Sequence, residues 1–79
     1  MGEYLNVIDL NEIVIIVRDI NGKRIQINIR NVNDFKEYDW SWYDDENYQI
    51  LFVVWGKHCI YNGLINEKLY LEELIGFFA

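Results

Sequence analysis

The chain contains no threonine and no proline, and it has a single serine, a single cysteine and a single histidine. One cysteine, Cys59, excludes an intrachain disulfide, so burial of apolar side chains has to stabilise the fold. One cysteine and one histidine also leave too few ligands for a structural zinc site, which takes four. The seven lysines and arginines are scattered and are outnumbered by thirteen acids, which argues against direct nucleic-acid binding.

Long hydrophobic stretches are absent as well. The longest apolar run, 50–55, is too short to span a bilayer, and Met1-Gly2-Glu3-Tyr4 lacks the basic start of a signal peptide. A length of 79 residues predicts one domain over 1–79, and 52% apolar content argues against disorder. We therefore expect a cytoplasmic protein that does not contact membranes. Twelve isoleucines and nine asparagines against one alanine indicate AT-rich coding, as in a low-GC bacterium or its phages.

The alternation of apolar residues predicts a β-hairpin in the first half of the chain. Residues 12–19 are rich in β-branched side chains, residues 24–30 alternate strictly, and Asn21-Gly22 between them suits a two-residue type I′ turn. That loop predicts the cross-strand pairs Ile16–Ile27, Val14–Ile29 and Asp19–Arg24.

Shorter elements are predicted after the hairpin. Asn33 or Asp34 is expected to cap a turn of helix that ends near Tyr38. Trp40-Ser41-Trp42 alternates like a short strand, and 44–47 has the composition of a turn.

A continuous apolar stretch then predicts the central strand of the sheet, over 48–55. Gly56-Lys57 offers a type II′ turn into a further strand over 58–61. Because neighbours on a strand point to opposite faces, we expect Cys59 in the core and His58 on the surface.

The end of the chain has the pattern of an amphipathic helix, with Asn66 as its N-cap and Glu67 in its first turn. Its apolar stripe consists of Tyr70, Leu71, Leu74, Ile75, Phe77 and Phe78. Leu69 lies outside the stripe and is expected to be exposed or to contact a neighbour. The predicted fold is α+β: an antiparallel sheet of four or five strands with this one helix packed on a face.

The charge of the chain is concentrated in residues 34–46. This segment holds six carboxylates and one lysine, a formal charge of −5 against −6 for the whole chain, together with five large aromatic residues. If the aromatics filled the core, the acids would be a solvated turn. However, the region from Phe35 to Tyr48 holds six aromatic rings, and one additional layer of core packing cannot bury them all. Some of the rings are therefore expected to be exposed and to form an interaction patch. The candidate partner-binding residues are Tyr38, Asp39, Trp40, Trp42, Tyr43, Asp44, Asp45 and Glu46.

Catalytic and metal-binding patterns are not found. Ser41, His58 and Cys59 are the only candidates for nucleophilic chemistry, and none has a flanking motif, so we do not expect an enzyme. The acids of 39–46 are the type that binds Ca²⁺, but their spacing lacks the alternation and central glycine of an EF-hand loop. We therefore expect no metal and no cofactor.

Carboxylates on a rigid domain can take the place of phosphates against clusters of arginine and lysine. The predicted function is therefore a protein-binding module that occludes a basic site on a nucleic-acid-handling enzyme. In size and charge balance the chain resembles small acidic phage inhibitors, including anti-CRISPR proteins and inhibitors of DNA repair enzymes. The alternatives are an immunity or antitoxin protein that neutralises a basic toxin, a self-associating module that forms a homodimer, and a binder of small ligands.

Overall fold

The structure, a computed structural model, describes residues 10–79, so the expectation for Met1–Tyr4 lies outside them. Its sheet is antiparallel and has four strands in the order β2-β1-β3-β4. The elements are β1 (Ile13–Asp19), β2 (Arg24–Ile29), α1 (Val32–Glu37), a 3-10 helix (Trp40–Trp42), β3 (Tyr48–Trp55), β4 (His58–Asn62) and α2 (Leu71–Phe77). The predicted α+β fold is confirmed, and β3 covers the residues predicted for the central strand.

The hairpin of β1 and β2 is present, but its predicted turn type and register are wrong. The carboxylate of Asp19 accepts hydrogen bonds from the backbone N–H groups of Asn21 and Lys23, both at 2.9 Å. Only Gly22 in this loop has a positive φ, of 85°, which fits a type I turn followed by a G1 bulge. The observed pairs are Ile13–Ile29, Ile15–Ile27, Val17–Ile25 and Arg18–Arg24, one residue away from the prediction.

Gly22→Ala is expected to lower the free energy of unfolding by about 1 kcal/mol, because an alanine is strained at positive φ. No atom lies within 4 Å of the added Cβ, so backbone conformation alone sets this loss. The control is Asn21→Ala, at a residue whose φ is not positive. Urea denaturation of the two variants measures the difference. Equal losses at both positions would indicate the type I′ turn instead.

One face of the sheet packs against both helices. Alternate residues of β1 are buried because strand side chains point to opposite faces in turn. Phe35 of α1 and Leu74 of α2 join them in a single core. The core consists of Ile13, Ile15, Val17, Ile27, Ile29, Phe35, Trp40, Ile50, Val53, Leu74 and Phe78.

The region between β2 and β3 contains the predicted short helix but not the predicted short strand. The cap of α1 is Asn31, whose side chain accepts a hydrogen bond from the backbone N–H of Asp34 at 2.9 Å. Trp40–Trp42 form a 3-10 helix instead of a strand. Asp39 starts this helix, because its carboxylate accepts the backbone N–H of Ser41 at 3.1 Å.

The C-terminal helix begins at Leu71 and not directly after Asn66, the predicted cap. The carboxylate of Asp45 accepts the backbone N–H of Leu71 at 2.9 Å, and the carboxylate of Glu73 accepts the backbone N–H of Tyr70 at 3.0 Å. Leu69 is not exposed, the first of its two predicted alternatives, but is partly buried against the core. Within the predicted stripe, Leu74 and Phe78 are buried, whereas Tyr70, Ile75 and Phe77 are exposed.

The β3–β4 hairpin turns at Gly56, with φ 63°, and Trp55 pairs with His58 across the predicted two-residue loop. The expectation of a buried Cys59 is wrong, because both Cys59 and His58 are exposed. Two features explain this exposure: β4 is an edge strand, and its pairing with β3 is irregular next to Val54. Among residues 10–79, neither helix has the length and apolar character needed to cross a membrane.

Candidate protein-binding surface

Three local structures hold the acidic-aromatic segment, which we define as residues 34–46. The segment leaves α1, passes through the 3-10 helix and ends in the turn before β3. Asp44 closes that turn, since its carboxylate accepts the side-chain amide of Asn47 at 2.8 Å and its backbone N–H at 3.2 Å. Short-range hydrogen bonds therefore fix the carboxylates of Asp39 and Asp44.

Trp40 lies in the core and not on the surface. It is 8% exposed, and its ring centroid lies 4.9 Å from that of Phe35 and 4.5 Å from that of Tyr38. Its indole N–H donates to the backbone carbonyl of Phe35 at 3.1 Å. The expectation that Trp40 contacts a partner is therefore corrected: the ring packs against the sheet and anchors the segment.

Tyr38 and Tyr43 lie between the core and the surface. Both are partly buried and pack against the core. The ring centroid of Tyr43 lies 5.1 Å from that of Tyr48 and 6.4 Å from that of Trp40. Burial raises the pKa of the Tyr43 hydroxyl, and the Tyr38 hydroxyl raises it further. These two rings therefore hold the acidic-aromatic segment against the core.

Trp42 is the exposed ring of the segment. It is 73% exposed, and it takes part in none of the ring contacts formed by residues 10–79. Fully exposed tryptophans are uncommon, because the side chain has a large apolar area to bury. Tryptophan is also among the residues most enriched at the energetic centres of protein interfaces.

Hydrogen bonds favour the charged form of two carboxylates that flank Trp42 in the chain, Asp39 and Asp44. Hydrogen bonds from the hydroxyl and backbone of Ser41 lower the pKa of Asp39, and the side chain of Asn47 lowers that of Asp44. The only ion pair in the part of the chain that the structure describes joins Arg30 to Asp34, at 3.1 Å.

The other acids of the segment lack ionic partners too. The Glu46 side chain is exposed and forms no ion pair with a described residue. The Lys68 ammonium donates to the backbone carbonyl of Asp45 at 3.2 Å, while the Asp45 carboxylate binds the start of α2. The segment therefore presents negative charge that a partner can reach.

The structure extends this surface into a groove that no sequence pattern indicated. Antiparallel pairing of Asp19 with Tyr48 brings the β1–β2 loop beside the acidic turn. An open groove of about 550 Å³ lies between them. Its charged and apolar lining includes Arg18, Asp19, Ile20, Asp45, Glu46 and Lys68. The named residues come from three segments that are at least 22 positions apart in the chain, and contacts between such segments leave no local signal in the sequence.

The Ser41 hydroxyl and the acidic side chains of this region were also compared with the arrangements that nucleophilic catalysis and metal binding require. The Ser41 hydroxyl donates to the same Asp39 carboxylate that caps the 3-10 helix, at 2.5 Å. Within residues 10–79, no three His, Cys, Asp or Glu side chains are placed to hold a metal ion. Searches against family models, curated proteins and solved structures found no match for this chain. Its function therefore has to be inferred from the chemistry of the surface.

Proposed function

We propose that this protein is an acidic binding module that inhibits a nucleic-acid-handling enzyme by covering its basic site. The observation that carries the proposal is the exposure of Trp42 in a segment where only Asp34, of the six carboxylates, forms an ion pair with a described residue. The exposed ring supplies apolar area for a tight contact, and the charges select a basic surface.

Rigid placement of the carboxylates supports the comparison with phosphates. The carboxylates of Asp39 and Asp44 are fixed by hydrogen bonds from Ser41 and Asn47, two and three positions later in the chain. The hydrogen bonds described above use Oδ1 of Asp39 and Oδ2 of Asp44, so each carboxylate keeps capacity to accept a hydrogen bond from an arginine or lysine of the partner. Because these bonds already order the side chains, less conformational entropy is lost on binding.

The composition favours a bacterial or phage setting, which makes defence enzymes and DNA repair enzymes the first targets to examine. A decisive experiment captures targets from extracts of a low-GC bacterium, with the wild-type chain and the Trp42→Ala variant as parallel baits after nuclease treatment. We expect a basic enzyme on the wild-type bait only. Added wild-type protein should then displace DNA or RNA from the purified enzyme. A captured protein that still binds nucleic acid at saturating inhibitor would contradict the proposal.

Charge should act mainly on the rate of association. Replacing Asp44, Asp45 and Glu46 with Asn, Asn and Gln is expected to slow association by at least about tenfold at low ionic strength. The asparagine at 45 keeps an oxygen that can accept the N–H of Leu71, so α2 should stay capped. Stopped-flow or surface binding over a salt series measures the rate.

The control for position compares single charge removals, Glu46→Gln inside the segment and Glu12→Gln outside it, because Glu12 precedes β1 at the end of the strand far from the Asp19–Tyr48 pair. Glu12→Gln should associate within about twofold of the wild-type rate, because charge effects are screened beyond about 10 Å at 0.1 M salt. Equal slowing in both variants would show that net charge, and not the acidic-aromatic segment, directs the encounter.

A further inference from the structure

The sheet face turned away from the helices has an apolar centre. Val14 and Ile16 of β1 lie opposite Val54 and Phe52 of β3. All four side chains are partly exposed. The buried residues of both helices join the core on the other face, so neither helix of residues 10–79 covers this one.

This face differs from an ordinary solvated sheet face. Antiparallel sheets often leave one side to water, but that side is then polar. The β2 edge follows the rule, since Gln26 and Asn28 are exposed and hydrogen-bonded to each other at 3.0 Å. The two inner strands, β1 and β3, are apolar on both sides instead. Strands of that kind are typical of sheets with a layer on each face.

We propose that a second copy of the chain covers this face in a weak homodimer. The charges at the two ends of β1 support a copy as the occupant. Glu12 lies at one end of the apolar centre, and Arg18 lies at the other, next to its cross-strand partner Arg24. At the Glu12 end, Arg30 is already paired with Asp34.

These charges also select the orientation of the dimer. A two-fold axis between the sheets and perpendicular to the strands places Glu12 of each copy over Arg18 of the other. An axis parallel to the strands would place the arginines of the two copies together. Closed two-fold symmetry with self-complementary contacts is the commonest arrangement of homodimers.

The size of the face sets the strength of the dimer. Four strands about 4.8 Å apart, with three rows of outward side chains, give a footprint of roughly 400 Å². A standard interface buries roughly 800 Å² per partner, so the dissociation constant should be on the order of 100 µM. Trp42 stays accessible in this dimer, because the 3-10 helix packs on the opposite face through Trp40.

Sedimentation of the full chain from about 10 µM to about 1 mM tests the proposal, and a monomer–dimer equilibrium is expected in that range. Ile16→Thr with Val54→Thr keeps the strand propensity and should weaken the dimer at least about tenfold. The control pair, Leu64→Thr with Ile65→Thr, changes exposed apolar residues of the loop after β4 and should leave the dimer unchanged. Circular dichroism verifies that each variant is folded.

Charge reversal provides a second measurement that does not remove apolar area. Glu12→Arg alone and Arg18→Glu alone should each weaken the dimer, and the two together should restore it. A monomer over the whole concentration range would overturn the proposal, as would equal weakening by the control pair or no response to either reversal. Trp42→Ala should leave dimerisation unchanged, so failure of this inference is distinguishable from failure of the proposed function.

Discussion

Trp40→Ala is expected to lower the free energy of unfolding by about 3–5 kcal/mol, the range for removing a buried aromatic ring. Trp40 is 8% exposed and sits against Phe35 and Tyr38 in the layer that covers the sheet. Small domains are stable by only roughly 5 kcal/mol or a little more, so a loss at the upper end of this range would leave a large fraction of the variant unfolded at 25 °C. Urea denaturation followed by far-ultraviolet circular dichroism measures the loss.

The control Trp40→Phe separates the ring from its hydrogen bond. Phenylalanine keeps most of the apolar volume but loses the indole N–H that donates to the carbonyl of Phe35. That carbonyl also accepts the backbone N–H of Tyr38 at 3.3 Å, so it stays satisfied, and the expected loss is about 1–2 kcal/mol. A loss below about 1 kcal/mol for Trp40→Ala would show that the segment does not pack on the sheet as described.

The two tryptophans show why the sequence predicted a surface but not its anchor. In a strand, residues two positions apart point to the same face, so the predicted strand implied that the side chains of Trp40 and Trp42 are equally exposed. In a 3-10 helix each residue turns the chain by a third of a revolution, so the two side chains point in different directions. The hydrogen bond from Ser41 to Asp39 decides between these conformations, and alternation alone does not reveal it.

The hairpin illustrates the same limit. Alternating apolar residues and Asn21-Gly22 were enough to predict two paired strands. The register depended on Asp19, whose carboxylate accepts two backbone N–H groups and so starts the turn earlier. A side chain just outside the loop therefore shifted every pair by one residue.

Contacts between distant segments were beyond prediction from local pattern. The start of α2 is fixed by Asp45, which belongs to the acidic turn 26 positions earlier. Asn66, which has the right chemistry for a cap, bonds instead to the carbonyl of Asn62. The length of an apolar run sufficed for β3, because a buried strand depends on burial more than on any single partner.

Trp42→Ala should have the opposite profile to Trp40→Ala. Its side chain is 73% exposed, so the free energy of unfolding is expected to change by less than about 0.5 kcal/mol. Affinity for the captured enzyme should fall at least about 30-fold, because a central tryptophan at an interface commonly contributes 2 kcal/mol or more. Calorimetry on the purified pair measures the affinity, and the loss should appear mainly as faster dissociation.

Phe77→Ala is the matched control, since it removes another exposed aromatic ring, 60% exposed, at the end of α2. It should bind as the wild type does, whereas Trp42→Phe should recover part of the lost affinity by restoring apolar area at the same position. If Trp42→Ala binds normally while the acid-to-amide variant does not, charge alone recognises the partner. If Trp42→Ala and Phe77→Ala lose equal affinity, the partner contacts a surface other than the acidic-aromatic segment. The proposal predicts a third result: only the Trp42 variants lose affinity through faster dissociation, and only the acid-to-amide variant associates slowly. That result would show that the Trp42 ring holds the complex together and that the carboxylates speed its formation.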